Sequence, residues 1–246
     1  MIRVPRFLVI GGGETGAFYL RQLHRAVAAG RLETGRIVVI DRDPACRVAA
    51  DAAHDPLVSL ETADWSDWLA AHLGAADPED HLVPYHWAPH LLLGWLESEL
   101  RRAGARVSRG GTMAPRGLPF EATTASGDRA LSYASWACPP ACIEPAVCPH
   151  TRQARDWSLA GDLDTEAGGA LPVVFRCLHL VYGVGTIPVR DVLAARDRLC
   201  ADRAAAPSSF VVATSSHCHA LATRLEVVRS QAVAGEPSSL RLRAAT

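Results

Sequence analysis

Apolar positions along the chain follow two rhythms. Phe7-Leu8-Val9-Ile10 is a short continuous apolar run, the signature of a strand covered on both faces. A glycine-rich turn follows, and from Ala17 to Ala29 the residues Leu20, Leu23 and Val27 recur at helical spacing. Gly30 stands where such a helix would end in the left-handed conformation. Ile37-Val38-Val39-Ile40 predicts a second strand ending at Asp41, and Leu57-Val58-Ser59-Leu60 a weaker third. Asp64 is placed to cap a helix carrying Trp65, Trp68, Leu69 and Leu73, with Gly74 as its stop. His81-Leu82-Val83-Pro84 reads as a fourth strand. Pro89 then fits the first turn of a helix carrying Leu92, Trp95, Leu96 and Leu100, closed by Gly104. Ala105-Arg106-Val107 reads as a fifth strand. Strands alternating with helices imply a parallel sheet with right-handed crossovers.

The rhythm breaks between about Gly110 and Gly169, where Pro, Gly, Cys and Trp dominate. One hairpin is expected there, with arms Pro119 to Thr124 and Ala130 to Trp136 turned at Ser126-Gly127-Asp128. Regular text resumes with the run Val173 to Val181, a Gly183-Val184-Gly185-Thr186 turn and a helix from Pro188 carrying Val192, Leu193 and Leu199. Phe210-Val211-Val212-Ala213 is read as the last buried strand, and the final 15 or so residues, lacking periodicity, as a fraying end. The expected organisation is a first half over 1–110, a Cys/Pro-rich insertion over 111–170, completion of the sheet over 171–230 and a tail over 231–246.

Composition narrows the function classes. The 246 residues carry a net charge of −1, so no basic excess marks a nucleic-acid or anionic-membrane binder. No apolar run is long enough to span a membrane, and no secretory signal opens the chain, which makes the cytoplasm the expected compartment. The sequence contains neither lysine nor asparagine. Schiff-base chemistry and the lysine of a Walker phosphate loop are thereby excluded, and any cation must be an Arg, a protonated His, a helix N-terminus or a metal.

Gly11-Gly12-Gly13-Glu14-Thr15-Gly16 contains G-x-G-x-x-G on Gly11, Gly13 and Gly16, directly after a buried strand and opening a helix. Gly11 permits the sharp turn, Gly13 lets backbone amides reach a pyrophosphate, and Gly16 allows close helix packing. Asp41 at the end of the second strand can accept the ribose hydroxyls of an adenosine and favours NAD over NADP. Arg42 beside it works the other way, since it could pair with a 2′-phosphate. Over residues 6–110 the sequence resembles the nucleotide-binding Rossmann superfamily. Its run Ile37-Val38-Val39-Ile40-Asp41-Arg42-Asp43-Pro44 is similar to the NAD-binding regulatory domains of bacterial potassium-uptake systems. The resemblance implies an α/β, Rossmann-like, mostly parallel sheet that binds NAD(H). The same turn also resembles aminopropyl- and methyltransferases, which implies S-adenosylmethionine instead. Glu14 separates the two: it would repel a pyrophosphate unless turned outward, whereas it could welcome a sulfonium.

A second cluster carries metal chemistry. Cys138, Cys142 and Cys148 lie within one run at C-x3-C-x5-C spacing, stiffened by Pro139, Pro140, Pro145 and Pro149. Thiolates favour zinc, copper(I) or iron–sulfur clusters, and a fourth ligand is expected from His150, His217 or His219. In Ser216-His217-Cys218-His219 the alternation of an extended run pairs the two histidines and turns Cys218 away. In Tyr85-His86-Trp87-Ala88-Pro89-His90, His86 and His90 are the acid/base candidates. The expectation is an NAD(P)-binding oxidoreductase acting on a small molecule, with a zinc or iron–sulfur centre and a homodimeric or redox partner. Two alternatives stay open, a methyl- or aminopropyltransferase with structural zinc and a non-enzymatic redox or nucleotide sensor.

Overall fold

A computed structural model describes residues 1–84, 90–110, 113, 116–139, 142–165, 169–201 and 208–229. Its first strand, β1 (Ile2–Ile10), starts earlier than the apolar run suggests, because it pairs in parallel with β2 (Leu32–Asp41) from Ile2↔Leu32 onward. Between them α1 (Glu14–Ala28) ends as expected, with Gly30 at φ +64°. A short helix, α2 (Ala49–His54), precedes β3 (Val58–Thr62). Asp64 caps α3 (Trp65–His72), accepting from the backbone N–H of Ser66 at 2.8 Å. A tighter turn over Leu73–Ala75 then leads to β4 (His81–Val83).

Strands β3, β2, β1 and β4 are parallel neighbours in that order. The expected mostly parallel sheet stops there. The run Val173 to Val181 is broken at Cys177 into β8 (Leu171–Arg176) and β9 (Leu178–Val181). The predicted turn at 183–186 is instead mostly strand. The chain reverses at Tyr182 and Gly183, both at positive φ, and β10 (Val184–Pro188) returns antiparallel to both β9 and β4. This hairpin takes the place beside β4 that a fifth parallel strand would need.

The displaced fifth strand lies in a second sheet. After α4 (Leu91–Arg102), β5 (Ala105–Arg109) pairs antiparallel with β12 (His219–Arg229), a long strand not foreseen from the sequence. The expected hairpin forms as β6 (Phe120–Thr123) and β7 (Arg129–Ser132), with Gly127 at φ +83°, and β7 joins β12 along the edge that β5 also uses. On the other edge β12 meets β11 (Ser208–Ser215), which runs parallel to β8. Two further helices complete the described elements, α5 (Leu159–Thr165) and α6 (Val189–Ala201). Of ten strand pairings among the described residues six are antiparallel, so the protein is a mixed α/β fold with two mixed sheets.

Strand alternation assigns the layers. Phe7, Val9, Ile37 and Val39 share an apolar cluster with Leu20 and Leu23 of α1. Leu8, Ile10, Val38 and Ile40 face the other way, into a cluster with Leu69 of α3, Leu93 and Leu96 of α4 and Val192 of α6. That same cluster includes Val173, Phe175, Phe210, Val212 and Leu225 of the second sheet. The outer face of the second sheet carries Leu131, Val211 and Ala222 against Leu159 and Leu163 of α5. One helical layer therefore serves as the shared core of both sheets. No described helix is long and apolar enough to cross a membrane.

Leu93 is fully buried in that shared layer. Leu93→Ala is expected to lower the unfolding free energy by about 2–5 kcal/mol. Calorimetry should still show one transition, because both sheets lose the same support; two separated transitions would contradict the shared core.

Candidate functional site

The glycine turn has the local geometry its sequence suggests. A Cβ at Gly16 would come within 2.0 Å of the Gly11 carbonyl oxygen, so only glycine permits this approach of helix to turn. A Cβ at Gly13 would meet nothing within 4 Å, and Gly11 sits at φ +94°. The N-terminus of α1 has no side-chain cap. Glu14 is exposed and pairs with Arg47 at 3.0 Å, so its carboxylate is turned outward. The Asp41 carboxylate is buried and accepts from the backbone N–H of Gly12 at 2.6 Å and of Asp43 at 2.9 Å. Arg42 beside it is exposed. Segment 46–48 leans on the turn: Val48 N–H donates to the Gly12 carbonyl, and a Cβ at Gly12 would lie 2.4 Å from the Cys46 sulfur.

The acid/base candidates fare differently from this turn. His86 lies outside the described residues. His90 is buried at the start of α4, with Nε2 2.9 Å from the Thr214 hydroxyl. Burial pushes its pKa down to about 4, against the pull of Asp128, so it is neutral at pH 7.

The cysteines converge. Cys138, Cys142, Cys148 and Cys218 line one cavity together with Trp136, Glu144, Arg155 and Trp157. Cys218 was read as turned away, and the structure shows why it is not. Residues 216–219 form the tight turn between β11 and β12, Ser216 N–H donating to the His219 carbonyl, so strand alternation does not apply at its tip. The histidines read as its rivals lie elsewhere. The His219 ring meets the Ser132 hydroxyl at 3.0 Å, and His150 is exposed, stacked on Trp136 at 4.3 Å. His217 is half-buried at the turn. None of the three lines the cavity.

Glu144 holds the turn to the cysteine loop. One carboxylate oxygen accepts from the Ser216 hydroxyl at 2.7 Å and Cys218 N–H at 3.0 Å, and the other accepts from His217 N–H at 3.0 Å. Burial alone would raise its pKa, but these donors and His179, 3.6 Å away, hold it below the ordinary carboxylate value. Glu144 adopts φ +48°, a strained conformation for a side chain of its kind. The thiols differ in their surroundings. Burial, with Cys142 and Cys148 nearby, raises the Cys138 pKa, and burial lifts Cys218 to about 11 despite the Trp157 indole N–H. Cys148 is lowered, chiefly by the backbone N–H of Thr151, with His150 and Arg155 helping. Among the described residues no three His, Cys, Asp or Glu side chains are already gathered closely enough to hold an ion.

Comparison with known proteins adds one finding. A family model described as "Uncharacterized protein, C-terminal domain" matches residues 92–228, from the first turn of α4 to the end of β12, and so includes all four cavity cysteines. No curated protein and no solved structure matches the chain.

Two outcomes are expected. Glu144→Ala should cost about 2–4 kcal/mol of stability and raise the alkylation rate of Cys218 several-fold, read by mass spectrometry. Separately, because the folded pKa of His90 lies below its ordinary 6.5, the unfolded chain binds a proton that the folded chain refuses between pH 6.5 and about 4. Stability should therefore fall as pH drops through that window, and His90→Gln should flatten the slope in denaturant titrations.

Proposed function

This chain belongs to the AF_1314_C family, described as "Uncharacterized protein, C-terminal domain", and we propose that it is an NAD(H)-binding oxidoreductase acting on a small molecule. The observation that carries the reading is the division of labour among the glycines. Gly16 touches the turn as a helix-packing glycine must, and Gly13 leaves the end of α1 open for a diphosphate. The parallel order β3-β2-β1-β4 puts Asp41 on the strand beside that turn. Each Asp41 oxygen accepts one backbone N–H and keeps a lone pair with which to accept a ribose hydroxyl.

The orientation of Glu14 favours the dinucleotide over S-adenosylmethionine. Paired with Arg47 and facing solvent, it neither repels phosphates nor waits for a sulfonium. The chain's own groups would then act in two ways. The N–H groups at the start of α1 would bind the diphosphate and the Asp41 carboxylate would orient the adenosine; NAD(H) so held would supply hydride chemistry. His90, buried and neutral, would support the core near Thr214 and not move a substrate proton, which leaves His86 as the acid/base candidate of that run.

Calorimetric titration tests this. NADH should bind the wild-type protein, and Gly13→Asp, which fits the open space but places a charge against the phosphates, should weaken binding at least about 10-fold with an unchanged circular-dichroism melt. Binding of S-adenosylmethionine alone, or an unaffected Gly13→Asp variant, would overturn the reading. NADH binding without hydride transfer to a panel of small carbonyl compounds would leave the sensor in its place.

A further inference from the structure

We propose that Cys138, Cys142, Cys148 and Cys218 bind a single metal ion, zinc by preference, with Cys218 as the fourth thiolate in place of any histidine. The proposal concerns the second sheet and does not depend on the nucleotide at α1. Topology makes the first point. Three cysteines come from one irregular loop, and the fourth is delivered by the β11–β12 turn, about 70 residues later, to the same cavity wall.

The donors around the sulfurs make the second. Glu144 N–H approaches the Cys142 sulfur at 3.4 Å, the Trp157 indole N–H approaches Cys218 at 3.4 Å, and the backbone N–H groups of His150 and Thr151 lie beside Cys148. Trp136 Nε1 is a buried donor with no hydrogen-bond partner, and its indole stands beside Cys138 in the cavity lining. An N–H beside each sulfur is how proteins stabilise and orient metal-bound thiolates. A neutral thiol is a weak acceptor and needs no such company.

Charge makes the third. Four thiolates and a divalent ion leave two negative charges, which a low-dielectric site must offset. Arg155 lines the cavity with its side chain 11% exposed; its NH1 group is 3.9 Å from the Glu144 carboxylate, an ion pair beyond hydrogen-bond reach, and is buried with no hydrogen-bond partner. An anionic thiolate complex would supply that partner.

The thiols stand around the cavity and not on a common point, so loading must draw them inward. Glu144 anchors the loop from Cys138 to Cys148 to the hairpin tip, so the adjustment falls to the cysteine side chains.

The test uses the full chain, stripped with chelator under reducing conditions and titrated with cobalt(II), then zinc. One equivalent should bind, with the strong sulfur-to-cobalt absorption of a tetrahedral thiolate site. Cys218→Ser should reduce that absorption by about a quarter and weaken zinc at least about 10-fold. His150→Ala and His219→Ala should leave the spectrum unchanged. Should Cys218→Ser fail to fold, alkylation of the wild-type protein decides: zinc should protect all four cysteines while Cys200 stays as reactive as before. No stoichiometric binding, a cobalt spectrum indifferent to Cys218→Ser, zinc protection of three cysteines but not Cys218, loss of the spectrum in a histidine variant, or iron–sulfur colour in the protein as isolated would each overturn the proposal.

Discussion

The Glu144 carboxylate is the constraint on which the C-terminal architecture turns. A buried carboxylate is costly unless its oxygens are hydrogen-bonded, and here the Ser216 hydroxyl and the two successive N–H groups of the hairpin tip satisfy it. The same bonds fix where Cys218 lies relative to the loop carrying Cys138, Cys142 and Cys148. The carbonyls of the tip are used as well, His217 accepting from Leu159 N–H and Cys218 from Tyr133 N–H. A tip bound on every side is held in position, and holding it so is worth a strained backbone at Glu144.

The second organising fact is that the two sheets do not each own a core. An α/β unit commonly covers its sheet with helices on both faces. Here the helices on one face of the first sheet are also the helices on one face of the second. That arrangement requires the chain to leave the first sheet after β4 and return to it only for the β9–β10 hairpin. It also explains the break at Cys177, whose N–H still pairs with Ser215 in the second sheet while the next residue begins a strand of the first.

Much of residues 1–84 was legible because local signals and tertiary structure agree there. The apolar runs, the Asp64 cap and Gly30 each specify their element without help. The split into two sheets was not legible. Ala105-Arg106-Val107 reads as a strand correctly, but nothing in three residues says which sheet will accept it; that depends on β10 occupying the edge of β4. Strand β12 did carry a signal, since Leu225 and Val227 are buried between half-exposed Arg224, Glu226 and Val228 in strict alternation, and recognising it would have turned Ser216 to His219 into a hairpin tip. The expectation for Cys218 failed for that one reason: strand alternation was applied to residues that turn. That Cys138, Cys142 and Cys148 lie close together follows from their spacing, whereas the arrival of Cys218 at the same cavity follows only from pairing between distant strands.

The match to the family model opens in the first turn of α4, and this has a bearing on how such a unit can be inherited. Leu92, Leu93 and Leu96 belong to a cluster that also holds Leu8, Ile10, Val38 and Ile40, and β10 leans on β4. A piece of chain starting there would carry a wet apolar slab and an orphaned hairpin edge. Wherever this C-terminal unit recurs, it must travel with some companion that roofs the helices. What is free to vary between such proteins is the identity of the roof.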